Sequence, residues 1–329
     1  MITNSGNIAL PMAVWLAADD YDLVPKVKTI SATTLLKPIK SLVLSQAIAE
    51  QDLEIDIDVE DLIASRVGTA VHSAVQNAWE NHLESALIQL GLPKKARELV
   101  RLNPELPLDP NNHNVFIELR STRELNGWTI SGKFDLVENG QVEDVKTTSV
   151  WNWMLGSNDA KYALQGSIYR WLNPKLITED TMKVHFIFTD WKAAEYTRKK
   201  KDGYPPRKIM TRTLPLKSLA EIESFISSQI RKLEIYLGKP ESVIPPCTPE
   251  ELWQKPTKWA YYANYENMGK TRATKVFDSS HDALQRQMLD NPPGAVEKRP
   301  GEVKFCPYCP AYPICQQAES YVQQGILKI

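Results

Sequence analysis

The segment VFIELRSTRELNGWTISGKFDLVENGQVEDVKTT, residues 115–148, divides into three strand-like runs. Val115–Leu125 stops at Asn126-Gly127, Trp128–Glu138 stops at Asn139-Gly140, and Gln141–Thr148 follows. Asn-Gly between such runs is the strongest short-range signal for a two-residue type I′ turn, because both turn residues need positive φ. Two in succession predict an antiparallel three-stranded meander. A two-residue loop at 126–127 sets Glu118 directly opposite Asp135, and one at 139–140 sets Asp135 opposite Asp144. Without a bulge in either hairpin, the three carboxylates form one row across adjacent strands. Opposed like charges destabilise a sheet, so the row needs a compensating cation. Clustered hard oxygen ligands suit Mg²⁺ or Mn²⁺. Lys146, two residues beyond Asp144 and on the same face, can orient a water or stabilise charge on a phosphoryl oxygen. The competing reading is a solvated polar face balanced by Arg120, Lys133 and Lys146.

The flanking segments bear on that choice. Upstream, apolar residues recur at helical spacing from Asp58 to Leu90, and Gly91 and Pro93 end a long amphipathic helix. It carries Gly68-Thr-Ala-Val-His72, in which the glycine leaves room above the sheet and a neutral imidazole can complete a metal site. A lone helical histidine is more often structural. Downstream, a helix over Ala160–Leu172 places Gln165 and Tyr169 one turn apart, and a strand follows at Met182–Thr189. Glu195–Leu214 reads as a basic hairpin with Asp202-Gly203 at its tip. Residues 198–217 hold eight Lys/Arg against one acid, Asp202. Lys199, Lys200, Lys201, Arg207 and Lys208, with Tyr196 and Tyr204 beside them, form a candidate phosphate-tracking arm. The alternative is a solvated hairpin. Ser218-Leu-Ala-Glu221 is a capping box opening a helix that stops at Gly238. Near the N-terminus, Ile30–Ser45 reads as a short Ser/Thr-capped helix interrupted at Pro38. Residues 51–61 hold six carboxylates and no base.

Composition bounds the function class. The chain has 329 residues, 43% apolar and 24% charged, which excludes disorder, collagen and coiled coil. A net charge of −1 excludes a protein that coats nucleic acid through overall positive charge, and leaves local patches open. No apolar run approaches the ~20 residues of a membrane span. The first residues lack a basic region and meet Asp19 and Asp20 early, a poor secretion signal. Disulfides are therefore not expected, and the four cysteines need another role. Cys306, Cys309 and Cys315 form C-x2-C-x5-C, with Cys247 upstream. Metal ligation is the leading reading, by Zn²⁺ or by a [4Fe–4S] cluster. The aromatics around Trp253, Trp259, Tyr261 and Tyr262 read either as base-stacking groups among lysines or as the core of a small subdomain.

Taken in chain order, GxxxH, Glu, GxxD, DxK and QxxxY resemble the PD-(D/E)xK nuclease superfamily, in its RecB-like exonuclease branch. The matching residues are Gly68 and His72, Glu118, Gly132-Lys-Phe-Asp135, Asp144-Val-Lys146, and Gln165 and Tyr169, within residues 60–190. The resemblance implies a restriction-endonuclease-like α/β core, a mixed central sheet flanked by helices. The chain then divides into an N-terminal helical segment (1–57), the nuclease core (58–239) and a small Cys-bearing C-terminal subdomain (240–329). It also implies that one or two Mg²⁺ or Mn²⁺ ions are held by His72, Asp135, Asp144 and the Val145 carbonyl, with Lys146 as the catalytic lysine. Gln165 and Tyr169 would contact the DNA strand or organise the site. Glu118 matches a frequent but not universal acidic position.

The cysteine motif resembles the iron–sulfur staple of AddB-type helicase-nucleases and CRISPR-associated RecB-like exonucleases. In those families the first cysteine precedes the core, where this chain has Ser31-Ala-Thr-Thr-Leu-Leu-Lys-Pro38 and no cysteine. Cys247 takes its place, and a structural [4Fe–4S] cluster is expected, with structural Zn²⁺ as the alternative. The C-terminal region also resembles RecB-like proteins of phages. The implied function is a metal-dependent exodeoxyribonuclease that processes the ends of linear DNA in recombination or repair and releases 5′-phosphates. Its expected setting is the cytoplasm of a bacterial or phage-infected cell, away from membranes, beside a single-strand annealing protein or a helicase. Two other readings stand: a non-catalytic DNA-binding or assembly module on a retained nuclease fold, against which the intact Asp135, Asp144 and Lys146 argue, and an RNA-directed nuclease.

Overall fold

The computed structural model describes residues 2–18, 28–51 and 56–328. Asp19, Asp20 and the 52–55 part of the acidic stretch lie outside the described residues. The chain divides into two compact units, Met1–Lys37 with Asp52–Lys232, and Pro38–Gln51 with Leu233–Ile329. Residues 1–57, read above as one segment, are thus shared between them. Among the described residues no helix is long and apolar enough to cross a membrane.

The first unit begins with β1 (Ile2–Thr3), α1 (Leu10–Ala17) and β2 (Thr29–Ser31). After α2 (Ile39–Glu50), which belongs to the second unit, come β3 (Ile57–Asp58), α3 (Ile63–Asn81), α4 (Leu83–Gln89) and α5 (Lys94–Arg97). Strands β4 (Val100–Leu102), β5 (His113–Ile117), β6 (Arg120–Leu125), β7 (Trp128–Lys133), β8 (Leu136–Glu138) and β9 (Gln141–Thr148) follow. The unit ends with α6 (Val150–Leu155), α7 (Asp159–Leu172), β10 (Thr181–Phe188), α8 (Ala193–Lys199), β11 (Ile209–Pro215) and most of α9 (Leu219–Tyr236). One sheet has the order β11-β10-β9-β8-β5-β4 and another β2-β7-β6. In the first, β9 with β10 and β4 with β5 are parallel and the remaining pairs antiparallel. The architecture is mixed α/β.

The meander forms with both registers as the turns dictate, but it is shared between the two sheets. Asn126, Gly127, Asn139 and Gly140 all have positive φ, between 46° and 85°. Strand β6 pairs with β7 from Arg120↔Lys133 to Leu125↔Trp128. The same register continues in β5 and β8, from Ile117↔Leu136 to Val115↔Glu138. One unbulged ribbon therefore leaves the six-stranded sheet and enters the three-stranded one across residues 118–119 and 134–135. At this bend Glu118 adopts a left-handed φ of 49°, yet its N–H still donates to the Asp135 carbonyl at 3.0 Å. A non-glycine residue at positive φ stores strain, a recurrent mark of functional sites.

Helices α7 and α3 cover opposite faces of the large sheet. Met182, Val184 and Phe186 lie beside Val142, Asp144 and Lys146 in the parallel β9–β10 register and share their face. Helix α7 approaches that face so closely that a Cβ on Gly166 would sit 2.6 Å from Met182 Sδ. On the three-stranded sheet, a Cβ on Gly132 would sit 2.5 Å from Leu172 Cδ1 of the same helix. Gly68 of α3 faces Thr147 on the other side, with 3.8 Å between its notional Cβ and Oγ1. That is ordinary contact, so the room expected from Gly68 is not a tight fit.

Three local readings are corrected. The helix expected over 58–90 is a 3-10 turn (Val59–Leu62), α3 and α4, broken at His82 where φ is −130°; Asn81 and His82 are weak helix formers. Thr29–Ser31 extends the sheet against β7, and helix α2 begins only after Pro38, whose fixed φ suits a helix entrance. The basic hairpin is half helix. Glu195 pairs with Arg198 and Lys199 one turn on, which builds α8, and only Ile209–Pro215 is strand. Tyr204 is 8% exposed and its hydroxyl accepts the Lys192 N–H, so it is a packing residue rather than a free stacking platform.

In the second unit, β12 (Lys258–Tyr262) lies between β13 (Lys275–Phe277) and β14 (Ala295–Arg299), all antiparallel. Helix α10 (Ser280–Leu289) packs on them, capped by the Ser279 hydroxyl accepting from the Asp282 N–H. Tyr261 and Tyr262 are fully buried core residues. Helix α11 (Gln316–Gln323) closes an apolar cluster that includes Leu252, Phe305, Cys306, Ala318 and Leu327.

Candidate metal centre and its surroundings

The bend in the ribbon builds the site. Strand β8 begins only at Leu136, paired with Glu143, so β9 continues past it without a strand neighbour on that side. The Val145 N–H, which would otherwise enter the ladder, donates to Asp135 Oδ2 at 2.8 Å. In an antiparallel pair the N–H and C=O of one residue point to the same side, so the Val145 carbonyl faces the same gap. Helix α3 brings His72 to it. Its Nδ1 lies 3.3 Å from Asp135 Oδ1 and 3.9 Å from Glu118 Oε1. One ligand atom from each of His72, Glu118 and Asp135 falls within 4.8 Å of the others. With Ile117, Leu136 and Val145 they line a narrow cleft.

Charge is concentrated at this gap. Contact with Asp135 and Glu118 pushes His72 up to about 10, so the imidazolium supplies positive charge between two carboxylates. Burial works to raise Asp135, and the His72 contact and the Lys146 charge outweigh it, holding Asp135 low. Lys133 Nζ is 2.8 Å from Glu118 Oε2.

Asp144 stands apart from this trio, on the α7 side of β9. It is 1% exposed, and burial raises its carboxyl to about 6 against the pull of Lys146. Lys146 Nζ donates to Oδ1 at 2.9 Å. Oδ2 is 2.7 Å from the same nitrogen but receives no well-directed hydrogen bond, leaving a buried carboxylate oxygen short of a partner. The side chains of His72, Asp135 and Glu118 and the Val145 backbone thus meet at one gap, and Asp144, also expected as a ligand, lies outside that cluster. Gln165 and Tyr169, both buried on α7, are joined to each other by a 2.8 Å bond from Nε2 to the phenol oxygen.

Two neighbours escape the motif reading. Tyr162 places its ring 5.7 Å from Lys146 Nζ, and Lys161 is held low by burial and by the Lys146 charge. Both sit about one turn before Gln165, so the spacing that picks out Gln165 and Tyr169 extends back to them. Lys199, Lys200, Lys201, Arg207 and Lys208 are exposed around the end of α8 and the start of β11. Arg212, from the same basic run, is structural: it pairs with Asp159 and stacks 4.1 Å over Trp153.

The second unit holds the four cysteines around one cavity, lined also by Lys40, Ser41 and apolar side chains. No three of the sulfurs lie within 4.8 Å of one another. Burial pushes the Cys247 thiol up to about 12 and the Cys306 thiol to about 11.

No family model matches the chain, and no curated protein does. Among solved structures, the chain is similar to a protein named SSO0001, with 15% identity and a TM-score of 0.41, over 72% of this chain and 94% of the other. It is similar also to a phage-related exonuclease from Haemophilus somnus 129PT, with 14% identity and a TM-score of 0.28, over 62% of this chain and 92% of that one.

Proposed function

We propose that the protein is a divalent-metal-dependent deoxyribonuclease acting on the ends of linear DNA, as the PD-(D/E)xK resemblance implies. The observation that carries this reading is the convergence of His72, Glu118 and Asp135 at a strained bend, beside the Asp144–Lys146 pair. One imidazole nitrogen and two carboxylates form a donor set that fits Mg²⁺ or Mn²⁺, and the underpartnered Asp144 Oδ2 and the Val145 carbonyl are further oxygens for it. When bound, the ion would supply Lewis-acid activation of water and neutralise the scissile phosphate. Lys146 presents an ammonium toward that phosphate and stabilises charge as it develops on the non-bridging oxygens. Tyr162 lies beside the Lys146 head, and the buried Gln165–Tyr169 pair braces α7 against the sheet and so organises the site without touching the substrate strand. The exposed bases from Lys199 to Lys208 contact phosphates outside the cleft.

We also propose that the four cysteines hold a structural [4Fe–4S] cluster. Tetrahedral zinc with Zn–S bonds near 2.3 Å sets its sulfurs only about 3.8 Å apart. A cubane that carries one thiolate on each iron spreads them more widely, which suits the open spacing of Cys247, Cys306, Cys309 and Cys315.

The test incubates the protein with end-labelled linear and closed circular DNA in Mg²⁺, Mn²⁺ or EDTA, with Lys146→Ala as control. Metal-dependent loss of linear DNA, absent in the variant, is expected. Cleavage of closed circles would overturn exonuclease action, and equal activity of the variant would overturn the role of Lys146. Degradation of RNA alone would favour the ribonuclease alternative.

A further inference from the structure

The first turn of α2 brings two side chains to the cysteine cavity that no cysteine motif contains. Ser41 is 2% exposed, and its Oγ lies 3.1 Å from Cys309 Sγ. Lys40 is 6% exposed, and its Nζ forms a 2.9 Å ion pair with Glu241 Oε1. Glu241 in turn accepts from the Gln316 N–H at 3.0 Å and lies 3.8 Å from Cys315 Sγ. A buried lysine is costly unless negative charge balances it. Glu241 balances it when the thiols are neutral. Once four thiolates bind a metal centre the cavity carries further negative charge, and Lys40 is the cation that lines it. A metal-bound sulfur is deprotonated, so in the loaded state only the Ser41 hydroxyl can donate in the contact with Cys309.

We infer that Lys40 and Ser41 are the non-cysteine supports of this centre. Ser41 donates a hydrogen bond to the Cys309 sulfur, Lys40 supplies counter-charge, and Glu241 fixes the lysine in place. This rests on the reading that the four cysteines hold a metal centre. Hydrogen bonds and positive charge at ligating sulfurs stabilise the more negative, reduced state and hold the ligands in position.

The experiment begins with iron, sulfide and zinc analysis of the anaerobically purified full chain, before and after reconstitution with iron and sulfide. Wild-type protein that neither contains nor takes up metal would overturn the underlying reading. With a loaded wild type, Ser41→Ala and Lys40→Met are expected to lose metal to excess EDTA about 10-fold faster, the usual scale for supporting residues of a metal site. Ser41→Thr and Lys40→Arg, which keep the hydroxyl and the charge, are expected to stay near wild type. For an iron–sulfur centre both disruptive variants should also titrate at a lower midpoint potential. Loss rates and potentials equal to wild type in Ser41→Ala and Lys40→Met would overturn this inference alone. So would equal defects in the conservative and disruptive members of each pair.

Discussion

Replacing Lys146 by methionine tests the buried pair without any assay of cleavage. The substitution keeps most of the stem and removes the charge beside Asp144, which is 1% exposed with its carboxyl raised to about 6 from an ordinary 3.8. A carboxyl held high in the folded state penalises folding as pH rises from its unfolded value through its folded one. At pH 7.5 that penalty in the wild type is about 3 kcal/mol, from about 2 units at 1.36 kcal/mol each. Without Lys146 the carboxyl rises further, but the penalty has a ceiling of about 5 kcal/mol at this pH, because beyond it Asp144 simply binds a proton. Lys146→Met should therefore cost up to about 2 kcal/mol at pH 7.5. At pH 6 the ceiling itself falls to about 3 kcal/mol, close to the wild-type penalty, so the cost should nearly vanish. Adding Asp144→Asn should restore most of the loss, since an unpaired buried charge is what hurts. Urea unfolding followed by tryptophan fluorescence, in EDTA at both pH values, provides the measurement. An equal cost at pH 6 and 7.5, or no rescue in the double variant, would refute the argument.

Four further outcomes follow from the geometry. Gly132→Ala should destabilise by about 1–3 kcal/mol in urea melts, because its Cβ would lie 2.5 Å from Leu172 Cδ1 and 3.0 Å from Tyr169 Cδ1. Gly68→Ala, at ordinary contact distance in mid-helix, should be neutral or stabilising by up to about 1 kcal/mol. Burial would raise Glu143, but His185 at 2.7 Å and Lys183 at 2.6 Å overcome it and hold the carboxyl at about 2. Its stabilisation is therefore present above the unfolded value near 4.5 and lost as pH falls toward 2, so Glu143→Gln should cost about 2 kcal/mol at pH 7 and progressively less below pH 4. Glu118→Gln and Asp135→Asn should each weaken Mn²⁺ binding, read by calorimetry, by roughly tenfold or more; unchanged affinity in both would refute the proposed metal site at these carboxylates.

Much of this site is legible in the chain because two-residue turns leave no freedom in register. Asn126-Gly127 sets Glu118 against Asp135, and Asn139-Gly140 sets the register of β8 on β9, without reference to the rest of the fold. The bend between the two sheets is not legible, since it rests on one left-handed φ at Glu118 and on how α7 presses upon Gly132. For that reason the expected row of three carboxylates resolves into a trio with His72 and a separate Asp144. The basic stretch misleads for another reason: Asp202-Gly203 carries a turn signal, while the helix-forming spacing of Glu195 to Arg198 and Lys199 lies just ahead of it. Lys40 and Ser41 are invisible to motif reading, because their proximity to Cys309 and Glu241 spans more than two hundred residues of chain.

The unbulged ribbon also constrains how this chain can change length. Strands β5 to β8 draw their register from a turn at the far end of the same hairpin. One residue inserted between Asn126 and Gly127 would shift Glu118 off Asp135 and turn every paired side chain of β5 or β8 to the opposite face. Insertions are ordinarily tolerated best at exposed turns. Here such a turn, remote from the cleft, is where a change in length would dismantle it.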